Sequence, residues 1–273
     1  MKLLAVETAT SWQSVAILDN NRVLARHEQD ASGAHGTLLL PAIDRLLTQT
    51  GLRLTDLDGL ACSIGPGSFT GIRVGAATCL GLRAASGLPL ALVPTLEAMA
   101  WNVKAAALPV CPVLTSRKGE LYWAIFRWTD GGQLDRVLAE HVGAPSALAR
   151  SLTEHTLVFG EGWLSMEPEI RGALAASIPV SVGPEDAAKP SAVHVALLGM
   201  QRLQRGEIAG EQIAPLYVQR AEAELQYERS GGISPVARRQ ERVTQKVAER
   251  LARVRRGAGQ PGQPVRARKS HGS

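Results

Sequence analysis

The chain is poor in the residues that build metal centres, disulfides and nucleophilic sites. Its three cysteines, Cys62, Cys79 and Cys111, are odd in number and sit in apolar settings. That argues against a disulfide framework and predicts buried thiols of a cytosolic protein. The six histidines, at 27, 35, 141, 155, 194 and 271, never fall three or four apart. No helix face therefore offers two imidazoles to one ion. No GxSxG elbow surrounds any serine, and no Cys/His grouping stands out, so acyl-transfer chemistry has no visible nucleophile. Apolar runs are broken by charge or glycine well short of the roughly eighteen residues of a membrane span. The opening MKLLAVETATSW has no cleavage-like site and meets Glu7 at once, so it reads as a first strand and not as a signal peptide.

What is present divides by charge. The 273 residues carry a formal net charge of +5. Residues 236–273 hold 11 Lys/Arg against 2 Asp/Glu, a net of +9, and residues 1–235 a net of −4. A mildly acidic body precedes a basic tail. The tail contains VARRQERVTQKVAERLARVRR, a helical stretch with Val243, Val247, Leu251 and Val254 on one stripe. It ends in GAGQPGQPVRARKSHGS, a composition that does not fold by itself. A solvated helix with a loose end accounts for it, and so does an arm for RNA phosphates.

KLLAVET, QSVAILD and RVLARHEQ read as three opening strands with short links, the last two joined by Asn20-Asn21 as a tight turn. A helix follows over about residues 36–50, with Leu39, Ile43, Leu46 and Leu47 on one side and Pro41 either near its first turn or bending it. Then come a strand over 59–64, a helix over 68–86 stopped by Gly87-Leu88-Pro89, a strand over 90–93 and a helix over 95–105. Three strands, helix, strand, helix, strand, helix is the ribonuclease-H-like order, an α/β fold with a mixed sheet. A second α/β unit starts near Pro109 with VCPVLTS and GELYWAIFRW as paired strands. After mixed segments it has a helix over 191–204, and GEIAGEQIAPLYVQR closes the fold. The expected organisation is 1–105, 106–230 and a tail over 231–273.

The stretch SIGPGSFTGIRVG, residues 63–75, runs from a strand through a glycine loop into a helix. Such a junction makes an anion site. Yet the P-loop needs GxxxxGK[ST], and Gly65, Gly67 and Gly71 give GxGxxxG where the dinucleotide fingerprint is GxGxxG. A tight turn at Gly65 and Gly67 with Ser68 as helix cap fits better. Gly71 and Gly75 each cost roughly 1 kcal/mol against alanine inside a helix. With Thr78, Cys79 and Gly81 they form a small-residue strip that admits another backbone. Two neighbours are open: the protein's own sheet, or a helix of another chain.

GPGSFTGIRVGAA, with LAVETAT, LLPAIDRLL, VPTLEAMA, RKGELYWA and the LYVQR ending, resembles the TsaB family. The motifs span most of residues 1–125, and the glycine motif is highly specific. The resemblance implies a degenerate actin-like ATPase fold: two ribonuclease-H-like subdomains, the second degenerate. It implies a non-catalytic subunit without cofactor or metal, cytoplasmic, partnered by the catalytic sister TsaD and the ATPase TsaE. TsaD transfers threonylcarbamoyl to adenosine beside the tRNA anticodon. A homodimer when alone, and tRNA contact through the complex aided by the tail, complete the expectation. The sister enzyme's His-x-x-x-His pair falls on Thr95 and Met99 here, neither a catalytic ligand. The family's usual aspartate before RxGE is Ser116. The expected partner interface is Leu39, Ile43, Leu46, Gly71, Arg73, Gly75, Thr78 and Cys79. Glu7, Thr8 and Thr10, with Gly65, Gly67 and Ser68, stand where a vestigial nucleotide loop would be, though a polar strand end explains the first three equally. A small-molecule kinase or ATPase of the same fold is the rival reading, and RNA binding through the tail alone a third.

Overall fold

Short, largely apolar runs buried on both faces build the centre of the first sheet of the computed structural model, which describes residues 1–117, 119–211, 213–216 and 218. Strands β1 (Lys2–Glu7), β2 (Trp12–Asp19) and β3 (Arg22–Asp30) form an antiparallel meander. Its second turn places Asn20 at φ 51°, a left-handed conformation asparagine tolerates. Helix α1 (His35–Thr50) leads to β4 (Gly59–Ser63), α2 (Phe69–Ser86) to β5 (Leu90–Val93), and α3 (Thr95–Ala100) follows. The helix expected to reach 105 stops at Ala100 and continues as one 3-10 turn, Trp101–Val103. The sheet order is β3-β2-β1-β4-β5, with β1, β4 and β5 parallel. This is the ribonuclease-H-like subdomain expected from the element order.

The second sheet repeats that topology. Strands β6 (Val110–Thr115), β7 (Leu121–Trp128) and β8 (Leu134–Gly143) are antiparallel neighbours. Helix α4 (Pro145–Ser151) precedes β9 (Thr156–Phe159), and α5 (Glu161–Ala173) precedes β10 (Val180–Val182). The order β8-β7-β6-β9-β10, with β6, β9 and β10 parallel, matches the first sheet strand for strand. The second copy is degenerate: its helices have 7 and 13 residues where those of the first have 16 and 18.

One boundary is corrected. Helix α6 (Ala192–Gln204), assigned by sequence to the span 106–230, packs on β1, β2, β4 and β5 of the first sheet. Small residues bring it there, since Gly199 lies against Ala61 and Ala91. The described residues all fall in one compact unit. The basic tail over 231–273, and most of the closing LYVQR segment, lie outside the described residues.

Three apolar layers hold the two sheets. Along β1, Leu4 and Val6 face α1 and α2, joining Leu39, Ile43, Leu46 and Cys79. Leu3 and Ala5 face a central layer that contains α3 and α6 and, across it, Val110, Leu114 and Phe126 of the second sheet. The far face of the second sheet buries Val113, Trp123 and Trp163 with α4 and α5. Each fully buried leucine contributes about 1.5–3 kcal/mol through the hydrophobic effect. Glu97 of α3 ties the centre electrostatically: Arg202 of α6 grips both its oxygens at 2.9 and 2.8 Å, and Arg136 of β8 reaches it at 2.9 Å.

Candidate functional site

Three neighbouring parallel elements end at one place, as they must at the carboxyl edge of an open α/β sheet. Glu7 closes β1, Ser63 closes β4, and Thr95 opens α3 just beyond β5. All three are fully buried. Ala9 N–H donates to Glu7 Oε1 at 2.6 Å, while Glu7 Oε2, Ser63 Oγ and Thr95 Oγ1 close no hydrogen bond among the described residues. Burial drives the Glu7 carboxyl up to about 7; the Ala9 amide and the flanking Ser63 and Thr95 hydroxyls oppose the shift. A carboxyl in this state carries a proton at mildly acidic pH. Neither Ser63 nor Thr95 was proposed as a site residue from sequence. The available signal was polar residues at the ends of adjacent parallel strands.

The glycine loop lies against the β1–β2 turn. Ser68 caps α2 as expected, its Oγ accepting from Gly71 N–H at 3.2 Å. Ser68 N–H donates to Ala9 O at 2.6 Å, Thr8 Oγ1 donates to Gly71 O at 2.8 Å, and Thr95 N–H donates to Gly65 O at 2.8 Å. Trp12 N–H bonds Thr10 Oγ1 at 3.1 Å, and His35 Nε2–H donates to Thr10 O at 2.8 Å. The amides of Ala9, Trp12, Ser68 and Gly71 are thus committed to the chain's own oxygens. An anion would have to displace them. Glu7, Thr8, Thr10, Gly65, Gly67 and Ser68 do converge, as a closed turn.

The partner-helix reading of Gly71 and Gly75 is corrected. A Cβ on Gly71 would overlap the Thr8 carbonyl oxygen, one on Gly75 would overlap Thr8 Oγ1, and one on Gly67 would overlap the Ala9 carbonyl oxygen. The close approach that the glycines permit is to this chain's own turn after β1. Leu39, Ile43, Leu46 and Cys79 are likewise core residues, 1–2% exposed, because the apolar side of α1 faces the sheet. Of the expected interface only Arg73 and Thr78 reach the surface of α2, Arg73 stacking on the Phe69 ring at 3.7 Å.

A family model described as TsaD, tRNA N6-adenosine threonylcarbamoyltransferase, matches residues 27–227. The tRNA threonylcarbamoyladenosine biosynthesis protein TsaB of Escherichia coli (strain K12) is 35% identical over 169 residues, covering 60% of this chain and 72% of that protein. The chain belongs to the TsaB family. The TsaB of Haemophilus influenzae is 30% identical over 235 residues, 80% of this chain and 93% of that one. Among solved structures, YeaZ from Pseudomonas aeruginosa superposes with a TM-score of 0.68 at 28% identity, covering 79% of this chain and 99% of that chain. Against the sister enzyme's histidine pair, this TsaB-family chain has Thr95 and Met99, both fully buried, with Met99 in the central apolar layer. No helix among the described residues is long and apolar enough to cross a membrane.

Proposed function

We propose that this chain is the non-catalytic subunit of a threonylcarbamoyladenosine-forming assembly and holds the catalytic sister TsaD in a competent form. Its TsaB relatives are named for the biosynthesis of tRNA threonylcarbamoyladenosine, and the chain acts in that pathway. The observation behind the non-catalytic role is the closed β1–β2 turn. Gly67 and Gly71 let the chain's own loop fill the space a phosphate would need, which makes the turn a relic of a nucleotide site. The contact with TsaD is the outer face of α1 and α2, where Leu40 is 55% exposed and Arg73, Ala77 and Thr78 stand beside the buried rows. Free chains pair through the same face, and TsaE joins the heteromeric form. The complex meets tRNA in the cytoplasm, and the basic tail adds phosphate contacts.

The test is reconstitution. TsaD with TsaE, ATP, threonylcarbamoyl donor and tRNA should form product only when this chain is added. Leu40→Glu and Ala77→Glu change exposed positions, so both variants should fold, fail to co-purify with TsaD and fail to support transfer. Equal transfer without the chain would remove the activator role. Stoichiometric ATP binding by the purified chain alone would favour a kinase or ATPase of this fold.

A further inference from the structure

A polar cleft of about 350 Å³ opens beside β3, between the start of α6 and the 3-10 turn Glu185–Ala188. That is the small end of the range for metabolite pockets, roughly 300–1,000 Å³. Four charged side chains line it, Arg26, Glu28, Asp186 and Lys189. Arg26 and Glu28 are two residues apart on the same face of β3, roughly 6–7 Å along the strand, and both line the cleft. They form no ion pair with each other, and Arg26 makes no hydrogen bond or ion pair among the described residues.

Glu28 is built in. Ser14 Oγ accepts from Ala192 N–H at 2.9 Å and Ser191 Oγ accepts from Val193 N–H at 3.3 Å. Both hydroxyl protons are therefore directed to Glu28 Oε1, at 3.1 and 3.3 Å, leaving Oε2 as an acceptor. His194 is set in the same way. Asn102 Nδ2 donates to the carbonyls of Ala187 and Lys189, both at 2.8 Å, which turns its Oδ1 to His194 Nδ1 at 2.7 Å. Nδ1 must carry the proton, so Nε2 offers a lone pair. Burial, with the Lys104 charge adding, lowers the imidazole to about 4, so this tautomer persists at neutral pH. Lys189 is occupied, its ammonium 3.5 Å over the Trp12 ring.

We propose that this cleft binds a small zwitterion of the free amino-acid class, with Arg26 on its carboxylate and Glu28 and His194 on its ammonium. The lining carries two cations, Arg26 and Lys189, and two carboxylates, Glu28 and Asp186, so a ligand of one sign faces repulsion from the other pair. An amino acid presents one charge of each sign to this mixed lining, and its size suits the volume. The site is distinct from the closed turn at Glu7 and does not depend on the α1–α2 face.

Titration calorimetry of the full-length protein with each of the twenty amino acids tests this. At least one should bind, and its C-terminal amide and its N-acetyl form should each bind about tenfold or more weakly, since each loses a charge-assisted contact. Arg26→Gln should weaken the parent amino acid about tenfold and erase the difference between acid and amide. Glu28→Gln should do the same for the amine and its acetyl form. Unchanged melting curves for both variants show that folding is not the cause. The proposal is overturned if no amino acid binds up to about 10 mM, if blocked forms bind as well as the parent, or if Arg26→Gln leaves affinity unchanged in a folded protein.

Discussion

The two sheets share a strand order and differ at the end of their first strands. In the first lobe β1 ends in Glu7, buried among hydroxyls; in the second, β6 ends in Thr115, exposed and bonded to Glu161 at 2.9 Å. Both lobes nevertheless use the same device behind that strand. Gly67 and Gly71 lie against Ala9 and Thr8, and Gly160 and Gly162 lie against Val113 and Leu114. In each lobe the connection into the second helix passes the end of the first strand, or the turn just after it, so closely that a side chain does not fit. Glycine at these points is thus a requirement of the architecture, present where a buried carboxyl exists and where none does.

The sharpest way to break the comparison is to add one methyl to each lobe. Gly67 has φ 155° and Gly160 φ 109°, and an added Cβ would overlap a backbone carbonyl in both. Gly67→Ala and Gly160→Ala should each destabilise by about 3–5 kcal/mol, combining backbone strain with overpacking. Chemical denaturation measures this, and a neutral Gly160→Ala would show that the second lobe does not need the approach.

Next in size is a pH effect confined to the first lobe. The folded pKa of Glu7, about 7, lies above its ordinary value of 4.5, so protonation favours the folded state. That contribution is complete below about pH 4.5 and is lost as pH rises towards 7, where ionisation inside the core opposes folding. Glu7→Gln keeps the acceptor for Ala9 N–H and adds donors for Ser63 and Thr95. It should match the parent near pH 4 and exceed it by about 3 kcal/mol above pH 7.5. Parallel stability curves from pH 4 to 8 would contradict the assignment.

Gly75→Leu ranks third. Bulk placed against Thr8 should cost about 1–3 kcal/mol and lower the melting temperature, despite better helix propensity. Stability kept with association lost is the outcome required by the partner-helix reading, and it would restore that reading. Thr115→Val is the smallest, within about 0.5 kcal/mol and without pH dependence, since an exposed site holds no buried charge.

The first lobe was legible because its signals are local: short apolar runs with tight links, Ser68 as a cap, and Gly87 as a left-handed helix end. The second was less so. β8 is an exposed edge strand whose polar residues hide alternation, β10 has three residues, and α5 breaks its helical geometry at Met166 before Pro168. The topological repeat left no trace because burial, and not residue identity, is what the lobes have in common. In the glycine stretch the sequence declared that something comes close to Gly71 and Gly75. It did not say what, since a small-residue strip looks the same against one's own strand as against a foreign helix. Ser63 and Thr95 lie more than fifty residues from Glu7 in sequence, and only strand pairing unites them.

The return of α6 to the first sheet has a consequence for synthesis. Leu3, Ala5, Ala61 and Ala91 are covered by a helix that ends at Gln204, about a hundred residues after the first lobe's last 3-10 turn. At translation rates of about 5–20 residues per second, that face stays bare for about 5–20 s on the ribosome. The amino-terminal lobe of a nascent chain is therefore a half-covered sheet in need of protection. It becomes a finished body only when the second lobe has been made and the chain has come back.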